Sequence, residues 1–247
     1  MRAFLPARHN WKVRMTKDQK NAESRTAENV INDFIGKYRK VLLAAGIIIL
    51  VAVVAVCAAV GIIQSRNENM FNSLLDLVNR YNSILAMDDT SAEYTAERDS
   101  FISDAEALSA EAGLKKYQGA KAELMIADLL FDEVDYQSAA DRYNAVASAQ
   151  SGTYLGPLAL MNAAAAYDEM GSTDEALSLY NVVFDTYGSD NAFAPKALFN
   201  AARIYEAQGN IELAKATFEQ LTGLYASSPS GESEYAKMAE AHLIALN

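Results

Sequence analysis

A repeated segment reads AAAYDEMGSTDEALSLYNVV at residues 164–183 and ARIYEAQGNIELAKATFEQL at residues 202–221. A more divergent copy, ADLLFDEVDYQSAADRYNAV, occupies residues 127–146. The copies are spaced 37 residues apart, from Ala127 to Ala164, and then 38 residues apart, from Ala164 to Ala202. A fixed period of this length predicts a structural unit that stacks on copies of itself.

Each copy arranges small and aromatic residues around a central turn. In the last copy, Ala202 and Tyr205 precede Gly209, and Ala214 and Phe218 follow it. Small residues let two antiparallel helices approach closely, aromatic rings fill the space beside them, and glycine accepts the positive φ of a tight turn. The pattern therefore predicts a helical hairpin for each copy. The equivalent turn positions are Val134, Gly171 and Gly209.

This pattern resembles the tetratricopeptide repeat, a helix–turn–helix unit of about 34 residues. Residues 157–225 carry the family's order of small, aromatic, glycine, alanine and aromatic residues. The consensus tryptophan and closing proline are missing, and each unit runs three or four residues longer. The resemblance implies an all-α superhelix of helical hairpins over residues 120–247, in which residues 232–246 cover the open end.

An apolar run precedes the repeats: residues 41–63 read VLLAAGIIILVAVVAVCAAVGII, without a charged side chain. At about 1.5 Å per residue, a helix of this length crosses a hydrocarbon core of about 30 Å. The run is too long and starts too late for a cleaved signal peptide, and Cys57 lies too deep within it for a lipoprotein cysteine. We therefore predict a single N-terminal transmembrane helix that is retained.

Charge is distributed unevenly about this run. Residues 1–40 contain ten Lys and Arg against four Asp and Glu, whereas residues 64–247 contain eleven against twenty-eight. The positive-inside rule then places the first segment in the cytoplasm and the C-terminal domain across the membrane, in the periplasm if the membrane is a bacterial inner membrane. The strongly acidic C-terminal domain also argues against nucleic acid as a partner.

The basic leader, residues 1–40, has two parts. Residues 1–22 show no periodic pattern, and Met15 opens a more usual start, so we expect the first fourteen residues to be an over-extended reading frame or a disordered arm after Met1. Residues 26–40 predict a short amphipathic helix, capped by Thr26 and continuous with the apolar run. Such a helix lies on the inner leaflet or docks a cytoplasmic partner.

Residues 64–119 predict a helical hairpin that is either a divergent repeat or a dimer surface. Residues 88–91, Asp-Asp-Thr-Ser, supply a turn with capping side chains. Phe101, Ala105 and Leu108 are expected to face inward on the second helix, and Gly119 to end the hairpin. The apolar stripe of the first helix comprises Met70, Leu74, Leu77, Val78, Tyr81, Ile84 and Leu85.

Residues suited to catalysis are sparse. The two histidines, His9 and His242, lie in the leader and the last helix, and the single cysteine, Cys57, has no second cysteine to pair with. The sequence contains no metal-ligand cluster, phosphate-binding loop or nucleophile motif. We therefore expect no enzyme activity, no cofactor and no metal.

The resembled family's geometry places the first helix of each unit along a concave groove that binds a protein partner. Asn162 and Asn200 are equivalent and can hydrogen-bond an extended backbone, and Arg203 can pair with a carboxylate. Met161 and Ala165 stand where a carboxylate clamp needs Lys and Asn, so we do not expect binding of a free C-terminus. The alternative is that these are ordinary groove positions. The residues are Leu124, Asp128, Met161, Asn162, Asp168, Phe199, Asn200 and Arg203.

The whole layout resembles the YfgM-like ancillary subunits of the Sec translocon. The repeats also resemble those of Tol-Pal accessory and outer-membrane-assembly proteins. These resemblances imply a membrane-anchored protein–protein interaction adaptor that works with translocon subunits or periplasmic chaperones, in protein translocation or envelope assembly. The alternative is a structural scaffold subunit of a large membrane machine, such as a secretion or motility apparatus.

Overall fold

The computed structural model describes residues 17–228 and 232–246, in which α-helices joined by short loops are present and no strand occurs. This confirms the prediction of an all-α fold for the described ranges. The chain divides into two compact units, Met1–Ser65 and Arg66–Asn247. The leader's alternative starts and His9 lie outside the described residues. The helices are α1 (Lys17–Ile84), α2 (Ala92–Ala112), α3 (Tyr117–Asp132), α4 (Tyr136–Ala149), α5 (Leu155–Glu169), α6 (Thr173–Tyr187), α7 (Ala194–Ala207), α8 (Ile211–Tyr225) and α9 (Glu232–Ala245).

In the first unit, α1 runs without a break through residues 26–40 and 41–63. Its start at Lys17 corrects the expected cap at Thr26, because most of residues 17–25 are Lys, Arg, Gln, Ala or Glu, which favour helix. Over Glu28–Ile84 it is long and apolar enough to cross a membrane, and its most apolar 18-residue window has a mean hydropathy of 3.2 and no buried share. A single helix of this kind near an N-terminus is weak evidence, so the membrane span stays a prediction.

The second unit begins with the end of α1 packed against α2. Met70, Leu74 and Leu77 share one hydrophobic cluster with Phe101 of α2 and Met125 of α3. Most of the stripe expected in residues 64–85 therefore belongs to the core. The exception is Leu85, which is 52% exposed.

Gly113, and not Gly119, ends this first hairpin. The α2 helix stops at Ala112, and Gly113 follows with a φ of 75°. Gly119 lies inside α3, where a Cβ atom would sit 2.5 Å from the carbonyl oxygen of Gly113. Glycine is needed at position 119 because the backbones of α3 and the preceding loop approach closely there, and not because the chain turns.

Three further hairpins, α3–α4, α5–α6 and α7–α8, repeat one turn geometry. Val134, Gly171 and Gly209 all have positive φ, at 67°, 76° and 75°, as the alignment of the repeats predicted. Across each turn, the next residue's N–H donates to a carbonyl five residues back, each at 2.9 Å; for the last turn this bond joins Asn210 to Tyr205. Val134 is the only non-glycine residue with positive φ in the described ranges.

The cores of these hairpins follow the same register. In α7–α8, Ala202 and Ala214 are fully buried where the helices cross, and Phe218 fills the space beside them. Ala236 and Ala239 of α9 belong to this last cluster, so α9 packs on the hairpin formed by α7 and α8. The second unit is thus a superhelix of stacked hairpins in which α1, α3, α5, α7 and α9 are successive first helices.

Candidate partner-binding groove

A cavity of about 400 Å³ opens on the face where the first helices meet α4. We call it the α3–α5 pocket, because most of its lining comes from those two helices. Its walls combine aromatic rings with charged and amide groups. The lining residues are Tyr81 of α1, Asp128, Phe131 and Asp132 of α3, Tyr143 of α4, Asn162 and Ala165 of α5, and Lys196 of α7.

One carboxylate of the pocket, that of Asp128, is tied to two tyrosines. The Tyr143 hydroxyl donates to Asp128 Oδ1 at 2.6 Å, and the Tyr81 hydroxyl also hydrogen-bonds to Asp128. Burial raises the pKa of Asp128 above its usual range, and the bond from Tyr143 opposes that rise. Burial first, and then the charge of Asp128, raise the pKa values of Tyr81 and Tyr143, so both hydroxyls stay protonated donors.

Three polar side chains of the pocket have no partner within the described part of the chain. The carboxylate of Asp132, the amide of Asn162 and the ammonium of Lys196 make no hydrogen bond or ion pair to a described residue. Asp132 and Lys196 are exposed and Asn162 is half-buried, so all three side chains can hydrogen-bond a ligand that enters the pocket.

Three of the predicted groove residues cannot face a partner. Leu124, Met161 and Phe199 are only 2%, 4% and 6% exposed, and each belongs to a hydrophobic cluster between hairpins. They are equivalent positions of the three repeats, so the prediction placed the same buried position of the first helix in the groove in all three repeats. A step of one residue turns a helix by about 100° and moves a side chain from groove to core.

Two other predicted residues bind each other. Arg203 of α7 donates to the carboxylate of Asp168 on α5. The carboxylate partner expected for Arg203 therefore comes from its own chain. Asn200 hydrogen-bonds to Tyr180, whose pKa is raised to about 12, mainly by burial. Of the eight predicted residues, only Asp128 and Asn162 line the pocket.

In the described residues, acid–base bridges of this kind join two of the four pairs of successive first helices. Asp168 and Arg203 bridge α5 and α7, and Glu206 Oε2 lies 2.7 Å from His242 Nδ1 between α7 and α9. The repeat register places Phe131 where Asp168 and Glu206 stand, and Ala165 where Arg203 stands. The α3–α5 boundary therefore has no such bridge among the described residues, and the pocket opens at that boundary.

Six lining residues were not among the predicted groove residues: Tyr81, Phe131, Asp132, Tyr143, Ala165 and Lys196. Tyr81 belongs to the apolar stripe predicted for α1, and Tyr143 is the repeat equivalent of the core residue Phe218, although each directs its hydroxyl at Asp128. Phe131 and Lys196 carried no motif. The available signal was the repeat alignment itself, because it shows an apolar pair, Phe131 and Ala165, where the next boundary has an acid and a base.

A larger cavity, of about 600 Å³, lies beside the loop between α1 and α2. Two of its charged groups are paired with each other: Arg98 Nε lies 3.0 Å from Glu133 Oε1, though without good hydrogen-bond alignment, and the Tyr94 hydroxyl donates to the same oxygen at 3.2 Å. Asp132 lines this cavity as well as the α3–α5 pocket, so its carboxylate can be reached from both. In residues 17–228 and 232–246 no three His, Cys, Asp or Glu side chains are placed to hold a metal ion.

The comparisons with known proteins agree on the repeats. The tetratricopeptide repeat family matches residues 158–189 and 196–228. Two crystal structures of nearly identical TPR-like repeats, described as a kinesin light chain of Podosopora anserina and a variant of it, superpose with TM-scores of 0.50 and 0.51. Both are 16% identical to this sequence, and the matches cover 69% of this chain and 85% and 84% of theirs.

At that identity the likeness shows the fold alone. No protein of curated function matches the sequence. Tetratricopeptide repeats generally bind protein partners, and the fold is typically non-catalytic. The protein therefore carries tetratricopeptide repeats within an all-α helical-repeat superhelix.

Proposed function

We propose that this protein is a membrane-anchored adaptor whose repeats bind a protein partner at the α3–α5 pocket. The observation that supports this role is the set of partnerless polar groups, Asp132, Asn162 and Lys196, in a cavity with aromatic walls. Tyrosine and phenylalanine are enriched in protein-binding surfaces, and polar groups without an internal partner can hydrogen-bond a ligand beside them. In this proposal the binding surface extends from the pocket toward α7, past Asn200 and the Asp168–Arg203 pair.

The anchor in this proposal is the apolar run of residues 41–63 in a bacterial inner membrane. Residues 1–40 lie in the cytoplasm and residues 64–247 in the periplasm. The support is the high mean hydropathy of the most apolar 18-residue window of α1, the absence of buried side chains in that window, and the charge difference across the run. Protease added to spheroplasts should cleave sites after residue 66 and spare an N-terminal tag. Protection of the C-terminal domain would rule out this topology.

The process served is protein translocation or envelope protein assembly, with a translocon subunit or a periplasmic chaperone as the partner. This part rests on the layout of leader, span and repeats. The test is a photo-crosslinking amino acid placed at Asn162 or at Lys196, with Glu219 on the exposed face of α8 as the matched control. Both pocket positions should capture one common protein in living cells, and the control position should not.

Mass spectrometry of that product, after mild-detergent purification, identifies the partner. A translocon subunit or a periplasmic chaperone supports the proposed process. Capture from Glu219 alone, or no capture from either pocket position, would contradict binding at the pocket.

A structural scaffold subunit is the second candidate, and one exposed surface favours it. Phe71 and Leu75 are 49% and 48% exposed, and with half-buried Val78 they follow the spacing of a coiled-coil seam on α1. Such a stripe suits contact between copies. An adaptor should run as a small complex in mild detergent. A large homogeneous assembly that Phe71→Ser with Leu75→Ser dissociates would favour the scaffold.

A further inference from the structure

The α3–α5 pocket is unevenly charged. Its α3 wall carries Asp128 and Asp132, beside the ring of Phe131, and Tyr81 adds a second half-buried ring. Lys196 lies on the opposite element, α7. Asp128 accepts hydroxyl hydrogen bonds, whereas the Asp132 carboxylate has no partner among the described residues. The α3 wall therefore presents acidic oxygens and aromatic rings together.

The neighbouring boundary shows which group suits such a wall. There, Arg203 on α7 extends back to the acidic side chain of Asp168 on α5. The equivalent of Arg203 one repeat earlier is Ala165, so the α3–α5 boundary has the small side chain and the open volume where the next boundary has an arginine. Asp128 and Asp132 flank Phe131, the equivalent of Asp168, and lie within one helical turn of it.

We propose that the α3–α5 pocket binds an arginine side chain of the partner, which takes the place that Arg203 occupies at the next boundary. A guanidinium group donates in a planar fork to carboxylates and stacks on aromatic rings, so it matches both features of this wall. The acidic domain, with eleven Lys and Arg against twenty-eight Asp and Glu in residues 64–247, attracts a basic segment. This inference rests on the proposed function and names the chemistry of its ligand.

The test uses the full chain in detergent micelles and a capped seven-residue alanine peptide with a central arginine. Two control peptides carry citrulline, which has nearly the same shape without the charge, or glutamate. We expect the arginine peptide to bind about tenfold more tightly than the citrulline peptide, and the glutamate peptide to bind least. Equal affinity for the arginine and citrulline peptides would overturn the proposal.

Three variants locate the effect within the pocket. Asp132→Asn should weaken binding of the arginine peptide by about tenfold, and Lys196→Glu should strengthen it. Ala165→Arg should abolish binding, because it installs the chain's own guanidinium beside Asp128. Glu219→Gln removes one charge from α8 as Asp132→Asn does from α3, and should leave the affinity unchanged.

Unfolding does not explain the expected loss. Asp132 is the last residue of α3, where a carboxylate opposes the helix dipole, so Asp132→Asn should keep or slightly raise the thermal midpoint. If Asp132→Asn and Glu219→Gln bind the arginine peptide alike, the proposal is wrong. If crosslinks from Asn162 and Lys196 still capture a partner in that case, the adaptor function stands and only arginine recognition falls. Loss of both crosslinking and peptide binding would contradict the adaptor function as well as arginine recognition.

Discussion

Hairpins α3–α4 and α7–α8 reach one backbone geometry with different side chains. Their turns have φ values of 67° at Val134 and 75° at Gly209, closed by hydrogen bonds of the same 2.9 Å length. Glycine adopts this conformation freely, whereas a β-branched residue is strained in it. The valine must therefore be held there by the packing of the two helices. The comparison teaches that the stacked core sets the turn, and that the glycine only makes it easier.

The largest expected effect on stability is at the start of the first helix of a hairpin, where Gly119 lies. Gly119 and Gly156 are repeat equivalents of Ala194, and a Cβ on Gly119 would lie 2.5 Å from a backbone oxygen. Gly119→Ala should therefore lower the free energy of unfolding by about 2–3 kcal/mol, as overpacking against an immovable neighbour does. Urea unfolding of the full chain in micelles, followed by circular dichroism, measures the change.

Gly223→Ala in α8 is the matched control, since nothing lies within 4 Å of its added Cβ. Alanine is the better helix former there, so the control should gain about 0.5–1 kcal/mol. Equal effects of the two substitutions would mean that the close approach at Gly119 does not constrain the fold.

The turns provide the next largest effect, in opposite directions. Val134→Gly should raise the free energy of unfolding by about 1 kcal/mol, because it relieves the left-handed strain and the lost side chain is 65% exposed. Gly209→Val should lower it by about 1–2 kcal/mol. Chemical denaturation of both variants checks the signs. Destabilisation by both would show that Val134 contributes packing that its exposure does not suggest.

A smaller effect is expected at the bridge between α5 and α7. Arg203→Met should lower stability by no more than about 1 kcal/mol, because the Arg203 side chain is 48% exposed and such pairs are screened by water. The difference from the unsubstituted protein should shrink in about 1 M salt, where charges are screened within a few ångströms. A salt-independent loss would assign the effect to the methylene stem of Arg203.

The last prediction concerns pH and Asp128. Burial raises the pKa of Asp128 in the folded state above its unfolded value of about 3.9. Ionisation of this carboxyl therefore destabilises the folded protein at pH values above the folded pKa, and has no effect on stability below the unfolded pKa. Asp128→Asn lacks this penalty. Its stability relative to the unsubstituted protein should therefore rise between about pH 4 and pH 7, as urea titrations at both values would show. A relative stability that falls with pH would mean that the tyrosine bonds outweigh burial.

Much of the fold could be predicted because the pattern of small, aromatic and glycine residues repeats along the sequence. The 37- and 38-residue spacing aligned the helices and located the turn at Val134 in the absence of glycine. The hairpin boundary was missed because Gly113 and Gly119 both suggest a turn. Only the distance between α2 and α3 shows that Gly119 is needed for close approach.

The candidate site could be predicted less well, for a physical reason. A repeat alignment gives equivalence between positions but not the face each position presents, so Leu124, Met161 and Phe199 were assigned to the groove although they are core. The pocket also depends on Tyr81, which comes from outside the aligned repeats. Tertiary packing brings that ring to Asp128, and no local pattern encodes it.

The missing bridge has a mechanical consequence for the superhelix. Polar side chains tie α1 to α3, α5 to α7 and α7 to α9, through Tyr81, Arg203 and His242 respectively. At the α3–α5 boundary, in the described residues, the first helices are held by apolar contact alone, which resists separation but does not fix direction. This boundary should therefore be the most compliant joint of the solenoid, the place where its curvature adjusts to the length of whatever it holds.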